Sequence, residues 1–219
     1  MLLADDAKNQ AQSNDAWSRW QEAATDYWVL LHPNLARFRR GDPRPPPSID
    51  ELRERAALVS TAMDGIPSSG RLAPPSAARA EHLARVGWFH ELLAGLSGPV
   101  RYAIEAVRNG DPSGVETLVR FLEADVYCFR SGYLKVDVIN ALVRASLTDE
   151  AADRLRKVVL DVVDGPDRRE FRAYVRLAWK VETPALLAAL DERAKSPTRR
   201  VARHARWILD GLALRRPGR

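Results

Sequence analysis

Apolar residues recur along most of the chain at the three- and four-residue spacing that places them on one face of an α-helix. Several helix starts carry a capping residue followed by proline, as in Asp111-Pro112, Thr183-Pro184 and Ser196-Pro197. No run of alternating β-branched residues is long enough to predict a sheet. The pattern therefore predicts an all-α protein, with helices over residues 14–31, 49–63, 76–95, 99–108, 113–124, 133–145, 149–163, 168–181, 184–194 and 198–213.

Two segments have the spacing of a capping box, in which a short polar side chain and a glutamate three residues later bond the first turn of a helix. They are Ser48 to Glu51 and Asp167 to Glu170. We therefore expect Ser48 and Asp167 to be the caps of the helices that follow them.

The second half of the chain repeats with an offset of about 30 to 36 residues, the range of two-helix repeats. Helix pairs of this size stack side by side into solenoids, although a four-helix bundle with extra helices would show similar apolar stripes. We expect three stacked antiparallel pairs, formed by residues 113–124 with 133–145, 149–163 with 168–181, and 184–194 with 198–213.

The last of these pairs, from Thr183 to Leu212, resembles a HEAT repeat. Its first helix begins with a proline, and a polar turn leads to an Arg-Val pair at Arg200 and Val201. The two preceding pairs match in spacing but lack the turn aspartate and the Val-Arg signature of that family. The resemblance implies a right-handed stack of antiparallel helix pairs, a curved scaffold that binds proteins or nucleic acids, and fold alone does not fix function.

The first 75 residues do not follow the repeat, and they contain the proline clusters Pro43 to Pro47 and Pro67 to Pro75. The predicted helix over 14–31 is rich in aromatic residues, which we expect to pack as a cap over the first repeat. An exposed aromatic strip for a partner is the alternative. The predicted organisation is a helical cap over 1–75, HEAT-like repeats over 76–213 and a basic tail over 214–219.

Charge is distributed unevenly along the chain, whose net charge is +5. From Arg193 to the end there are nine basic residues and one acid, Asp210, so the preceding 192 residues are slightly acidic. The preference for arginine (29 residues, against 5 lysines) is what a GC-rich bacterial genome would produce, but codon usage does not explain the clustering.

The basic residues of the last two pairs lie opposite apolar stripes. On the helix over 198–213, Arg199, Arg203 and Arg206 oppose Val201 and Ile208. The helix over 168–181 has the same division, and both are second helices of adjacent pairs, so we expect their polar faces to merge. We call this predicted surface the basic ridge, consisting of Arg169, Arg172, Arg176, Lys180, Arg199, Arg200, Arg203, Arg206 and Trp207.

Signatures of catalysis are missing from the sequence, which has no phosphate-binding glycine loop, nucleophile elbow, zinc-protease helix or EF-hand loop. We therefore expect no catalytic residue, no metal site and no cofactor. The single cysteine, Cys128, excludes an intrachain disulfide. We expect Cys128 to be buried in a turn packed by Phe121, Tyr127, Phe129 and Tyr133, and a binding loop over 125–132 is the alternative.

The N-terminus carries two acids where a secretory signal would carry bases, and no stretch approaches the roughly 18 apolar residues of a membrane span. We expect a cytoplasmic protein with no membrane partner. The first functional hypothesis is a non-enzymatic scaffold that binds an acidic protein through the basic ridge. The second is nucleic-acid binding through the same ridge, and the third is an enzyme resembling the HEAT-like DNA glycosylases.

Overall fold

The computed structural model describes residues 46–66, 77–128 and 131–214, with side chains from residue 85 onward in the helix that begins at residue 77. The chain divides after Arg44, and the described residues all belong to the unit that begins at Pro45. The predicted aromatic helix over 14–31, the proline cluster at 67–75, Phe129 and the tail from 215 onward lie outside the described residues.

Every regular element in these ranges is helical and none is a strand, which confirms the all-α prediction. A short 3₁₀ turn over Pro112–Gly114 leads into the third helix. The described α-helices are α1 (Ile49–Asp64), α2 (Ala77–Arg108), α3 (Val115–Ala124), α4 (Ser131–Arg144), α5 (Asp149–Asp164), α6 (Phe171–Lys180), α7 (Pro184–Ala194) and α8 (Arg199–Leu214).

Local capping chemistry explains where several helices begin. The hydroxyl of Ser48 accepts the Glu51 N–H at 3.1 Å, and that of Thr183 accepts the Leu186 N–H at 3.1 Å. The carboxylate of Asp111 accepts the Ser113 N–H at 2.8 Å, so Asp111 caps the turn in which Pro112 is the first residue. Each of these caps is predicted by the sequence.

Two predicted caps are wrong. α6 begins at Phe171 with no side-chain cap, because the carboxylate of Asp167 bonds Arg203 and His204 of α8 instead. Ser196 accepts the Thr198 N–H at 3.2 Å and does not cap α8, which begins at Arg199, one residue after its predicted start. A partner distant in the sequence takes Asp167 away from its local role.

α2 runs without interruption through Pro99, although the sequence predicts separate helices over 76–95 and 99–108. A proline inside a helix lacks the N–H that would bond the carbonyl four residues earlier, here that of Gly95. Arg55 of α1 donates to this carbonyl at 2.9 Å. The bond that Pro99 cannot form is therefore replaced from a neighbouring helix.

Helices of corresponding position contact one another from pair to pair. α3 contacts α5 and α5 contacts α7, while α4 contacts α6 and α6 contacts α8. α1 packs against α2 and α3, and one buried apolar cluster includes residues from all eight helices. Stacked pairs would produce this order of contacts, and the solenoid arrangement, its handedness and its likeness to HEAT repeats stay predictions.

None of the described helices is both long enough and apolar enough to cross a bilayer.

Candidate functional site

α8 has one buried side and one charged side. Ala202, Ala205, Ile208 and Leu212 are buried against the rest of the helices. The charged side consists of Arg199, Arg200, Arg203, Arg206 and Asp210, which are all exposed, together with Trp207, which is 51% exposed.

α6 is divided in the same way. Phe171, Tyr174 and Leu177 are buried on its inner side. The cations of its outer side are Arg169 (just before the helix), Arg172, Arg176 and Lys180, of which Arg176 is half-buried and the others are exposed.

The two helices approach closely because Gly211 of α8 has no side chain. A Cβ at this position would lie 2.3 Å from Cγ1 of Val175 on α6, closer than any real contact. Trp179 of α6 donates its indole N–H to the Gly211 carbonyl at 3.1 Å, and the rings of Phe171 and Trp207 meet edge to face at 5.7 Å. Eight of the nine predicted ridge residues thus lie on two helices in direct contact, and Arg169 lies just before α6.

The ridge cations differ in what they bond. On α8, Arg200 donates to the Asp164 carbonyl at 3.4 Å and Arg206 to the Ala194 carbonyl at 3.0 Å. Arg203 forms an ion pair with Asp167. These three guanidinium groups are therefore held in fixed positions on the surface.

A second set of ridge cations is free of such bonds. Within the described ranges, Arg169, Arg172, Lys180 and Arg199 form no side-chain hydrogen bond or ion pair. The Nε of Arg176 is buried without a hydrogen-bond partner. Four exposed cations therefore retain their full capacity to bond an external anion.

Trp207 is held in place from three directions. The guanidinium carbon of Arg203 lies over its ring, 5.3 Å from the centroid, in a cation–π contact. Phe171 and His204 contribute the other ring contacts, with centroids at 5.7 and 5.9 Å. The exposed part of the indole is thus a fixed surface feature and not a loose side chain.

His204 lies directly beneath this aromatic group and is 1% exposed. Its Nδ1 faces the Val163 carbonyl at 3.1 Å, and its Nε2 faces a carboxylate oxygen of Asp167 at 2.7 Å. The pKa of Asp167 is lowered because Arg203, and then His204, hydrogen-bond its carboxylate. His204 was not among the predicted site residues, although its place beside the buried stripe of α8 marks it as a polar residue facing the interior.

A second charged cluster, also missed, links the turn after α3 to the turn before α6. Lys135 is buried and donates to Asp125 at 2.7 Å, and Arg168 donates to both oxygens of Asp125 at 2.6 and 3.1 Å. Glu170 lies 3.9 Å from Lys135. The position of Lys135 within the apolar stripe of α4 is the sequence signal that predicts its burial.

The side chains of this cluster balance one another. Two cations face two carboxylates, so no net charge is left for an outside ligand. The hydroxyl of Tyr174 is buried beside them without a hydrogen-bond partner, and burial raises its pKa. We interpret the cluster as a structural link that fixes the two turns relative to each other.

The aromatic turn after α3 is not packed as the sequence predicts. Phe121 is fully buried, but Tyr127 is 91% and Tyr133 is 75% exposed. Asp125 has a left-handed backbone with φ of 44°, and Val126 takes the buried position after it, which leaves Tyr127 on the outside. The prediction of aromatic core packing in this turn is wrong for both tyrosines.

Cys128 in the same turn is half-buried and packs against the core. Its backbone N–H donates to the Ser131 hydroxyl at 3.1 Å. Burial raises the pKa of the thiol, the opposite of what a nucleophilic cysteine needs.

Comparisons with protein-family models, curated proteins and solved structures give no match to this chain. Among the residues that the structure describes, no group of three His, Cys, Asp or Glu side chains is placed to hold a metal ion.

Proposed function

We propose that the protein is a HEAT-like helical scaffold that binds an acidic protein partner through the basic ridge. The observation that carries the proposal is the set of exposed cations, Arg169, Arg172, Lys180 and Arg199, whose charges nothing in the described part of the chain neutralises. Some exposed arginines outside the ridge pair with acids of the same helix, as Arg108 does with Glu105, whereas others, such as Arg101, are unpaired in the described part of the chain as well. The ridge differs because its unpaired cations are grouped on and beside two adjoining helices, and such a group attracts an acidic partner and repels a basic one.

Trp207 supports a specific contact in the middle of this charge. Tryptophan and arginine are the residues that most often dominate the energy of protein interfaces. Because Phe171 and Arg203 already fix the indole, binding would restrict few additional side-chain rotations. We therefore place Trp207 and Arg203 at the centre of the contact, with the unpaired cations around them.

The cation–π contact also favours a protein over a nucleic acid. Arg203 covers one face of Trp207, so a nucleobase could stack on that face only after displacing the guanidinium group. A carboxylate of a protein partner needs no such displacement. Nucleic-acid binding is the second candidate, supported by the same unpaired cations, which would suit phosphates equally well.

The experiment compares two triple variants that change the net charge equally. One replaces Arg169, Arg172 and Arg199 by glutamate, and these side chains form no ion pair in the described part of the molecule. The control replaces three exposed cations outside the ridge, namely Arg101, Arg144 and Lys157. Binding of a fluorescein-labelled peptide of ten glutamates is measured by anisotropy at pH 7.5, after circular dichroism has shown both variants to be folded.

We expect the ridge variant to bind this peptide at least about tenfold more weakly than the wild type, and the control to lose no more than about threefold. If both variants lose the same binding affinity, the ridge is an ordinary solvated face and the proposal is wrong. The peptide is also compared with a ten-residue oligothymidylate. If the protein binds this oligonucleotide more tightly than the peptide, and Trp207→Ala weakens that binding, the ligand is a nucleic acid and not an acidic protein.

A further inference from the structure

The two hydrogen bonds of His204 define how many protons its ring carries when both are formed. A peptide carbonyl oxygen only accepts hydrogen bonds, and so does an ionised carboxylate. Nδ1 faces the Val163 carbonyl and Nε2 faces Asp167, so both nitrogens must donate. Only the doubly protonated, positively charged imidazole has two N–H groups.

Charged groups surround this ring on several sides. On α8 itself, Arg203 shares the carboxylate of Asp167 with His204. At the end of α5, Asp164 is paired with Arg193 of α7, and its carbonyl accepts from Arg200 of α8. These two arginines are thus already bonded to Asp164.

α6 contributes an aromatic neighbour at this place. The ring of Phe171 lies 4.6 Å from that of His204. The adjacent Arg168 is turned to Asp125, where it forms two hydrogen bonds. Asp167 is therefore the carboxylate that responds to the charge of His204.

We propose that the protonation state of His204 regulates the basic ridge. When the His204 ring is protonated, it weakens the ion pair between Asp167 and Arg203. With the charged ring, two cations share one carboxylate and the group carries a net positive charge. With the neutral ring, only one N–H remains for the two acceptors, the charges of Asp167 and Arg203 balance, and the group is neutral. The inference rests on the proposed function, because the ridge is the surface whose anion binding it regulates.

The direction of the effect follows from linkage. An anionic partner prefers the state with the additional positive charge, so binding promotes protonation and protonation promotes binding by the same factor. Affinity should therefore fall as pH rises and the ring loses its proton. Because Asp167 is exposed, its carboxylate has room to move when the ring loses its proton.

The test requires a probe whose own charge does not change with pH. A fluorescein-labelled peptide of ten cysteic acid residues meets this requirement, since its sulfonates stay ionised. For the wild type we expect binding roughly threefold to tenfold tighter at pH 5.5 than at pH 8, as one added surface charge implies. His204→Gln has no titrating ring and should show no more than a small part of this change.

Asp167→Asn provides a second variant at an exposed position, which keeps an oxygen for His204 but removes the shared charge. Arg203 then lacks its counter-ion at every pH. This variant should bind the peptide more tightly than the wild type at pH 8 and should show a reduced pH dependence.

The outcomes separate the two proposals. An equal pH dependence in wild type and His204→Gln overturns the control by His204, whereas loss of binding in the ridge variant would still support the proposed function. If the wild type does not bind the peptide at all, the proposed function fails. The effect of His204 on the ridge is then tested by NMR alone. The Trp207 indole resonance, assigned with Trp207→Phe, should shift between pH 5.5 and 8 in the wild type but not in His204→Gln, and an unmoved wild-type resonance overturns the inference.

Discussion

Arg55 of α1 donates a hydrogen bond to the carbonyl of Gly95 on α2, and this is the carbonyl that Pro99 leaves unpaired. At this exposed position a carbonyl without an intrahelical donor carries a modest cost, and the proline itself disfavours a helix interior. The guanidinium group removes the first of these costs. α2 therefore continues as one helix past a residue that ordinarily ends one.

Replacing Arg55 by alanine should destabilise the wild type by about 0.5 to 1 kcal/mol, because the exposed Gly95 carbonyl loses its protein donor and is left to water. In a Pro99→Ala background the helix supplies its own N–H, and the same change should cost less than about 0.5 kcal/mol. Urea unfolding of the four proteins measures the difference. Glu51→Ala is the control, since it removes the other partner of Arg55 and leaves the carbonyl bond in place. If Arg55→Ala costs the same free energy in both backgrounds, the guanidinium group is not a substitute for the missing N–H.

Asp125 is the counter-ion of the buried Lys135, so Asp125→Asn should destabilise the protein by about 2 kcal/mol. The value lies below that for a fully buried pair because the Asp125 side chain is 46% exposed. Asparagine tolerates the left-handed backbone at this position, so the substitution tests charge and not strain. Asp153→Asn, at an exposed ion pair with Arg156, should change stability by less than about 0.5 kcal/mol.

The effect of Asp125→Asn should also depend on pH. Burial by itself would raise the pKa of Asp125, but hydrogen bonds from Arg168 and Lys135 outweigh it, and the pKa is lowered. A lowered pKa stabilises the fold above the unfolded value, about 3.9, and this contribution is lost as pH falls through the folded pKa. The gap in unfolding free energy between wild type and variant should therefore narrow below about pH 4. A constant gap down to about pH 2 would contradict the ion-pair explanation.

Signals that act within a few residues could be predicted from the sequence. The caps at Ser48 and Thr183 bond N–H groups three residues away, and the buried stripe of α8 follows from helical spacing alone. The exposure of Arg199, Arg203 and Trp207 was expected for the same reason.

Contacts between distant parts of the chain could not be predicted. Asp167 leaves its capping position for a histidine 37 residues later, and Pro99 is tolerated because of an arginine 44 residues earlier. Tyr127 is exposed because Asp125 has a left-handed backbone and Val126 takes the buried position, and Asp125 itself bonds Arg168, which is 43 residues away. In each case the local pattern was satisfied by more than one conformation, and the tertiary partner selected the outcome.

Cys128 should react slowly with a disulfide reagent such as DTNB in the native protein. The half-buried thiol has a raised pKa, so little of it is thiolate at pH 7.5, and the core limits access. We expect labelling at least about tenfold slower than in urea. As the chain has one cysteine, the absorbance trace reports this site alone. Rapid stoichiometric labelling of the folded protein would indicate a reactive thiol and contradict this prediction.

Gly211 permits the contact between α6 and α8 on which the ridge depends. In Gly211→Ala the new Cβ would overlap Cγ1 of Val175, so that side chain must rotate or α8 must shift away from α6, at a cost of about 1 to 3 kcal/mol. The shift should also weaken peptide binding to the ridge, because it separates Trp207 from Phe171 and the α8 cations from those of α6. Gly87→Ala is the matched control on α2, where a Cβ meets nothing within 4 Å and alanine should stabilise the helix by about 0.5 to 1 kcal/mol. A Gly211→Ala protein as stable as the wild type, with unchanged peptide binding, would mean that the close approach of the two helices does not organise the ridge.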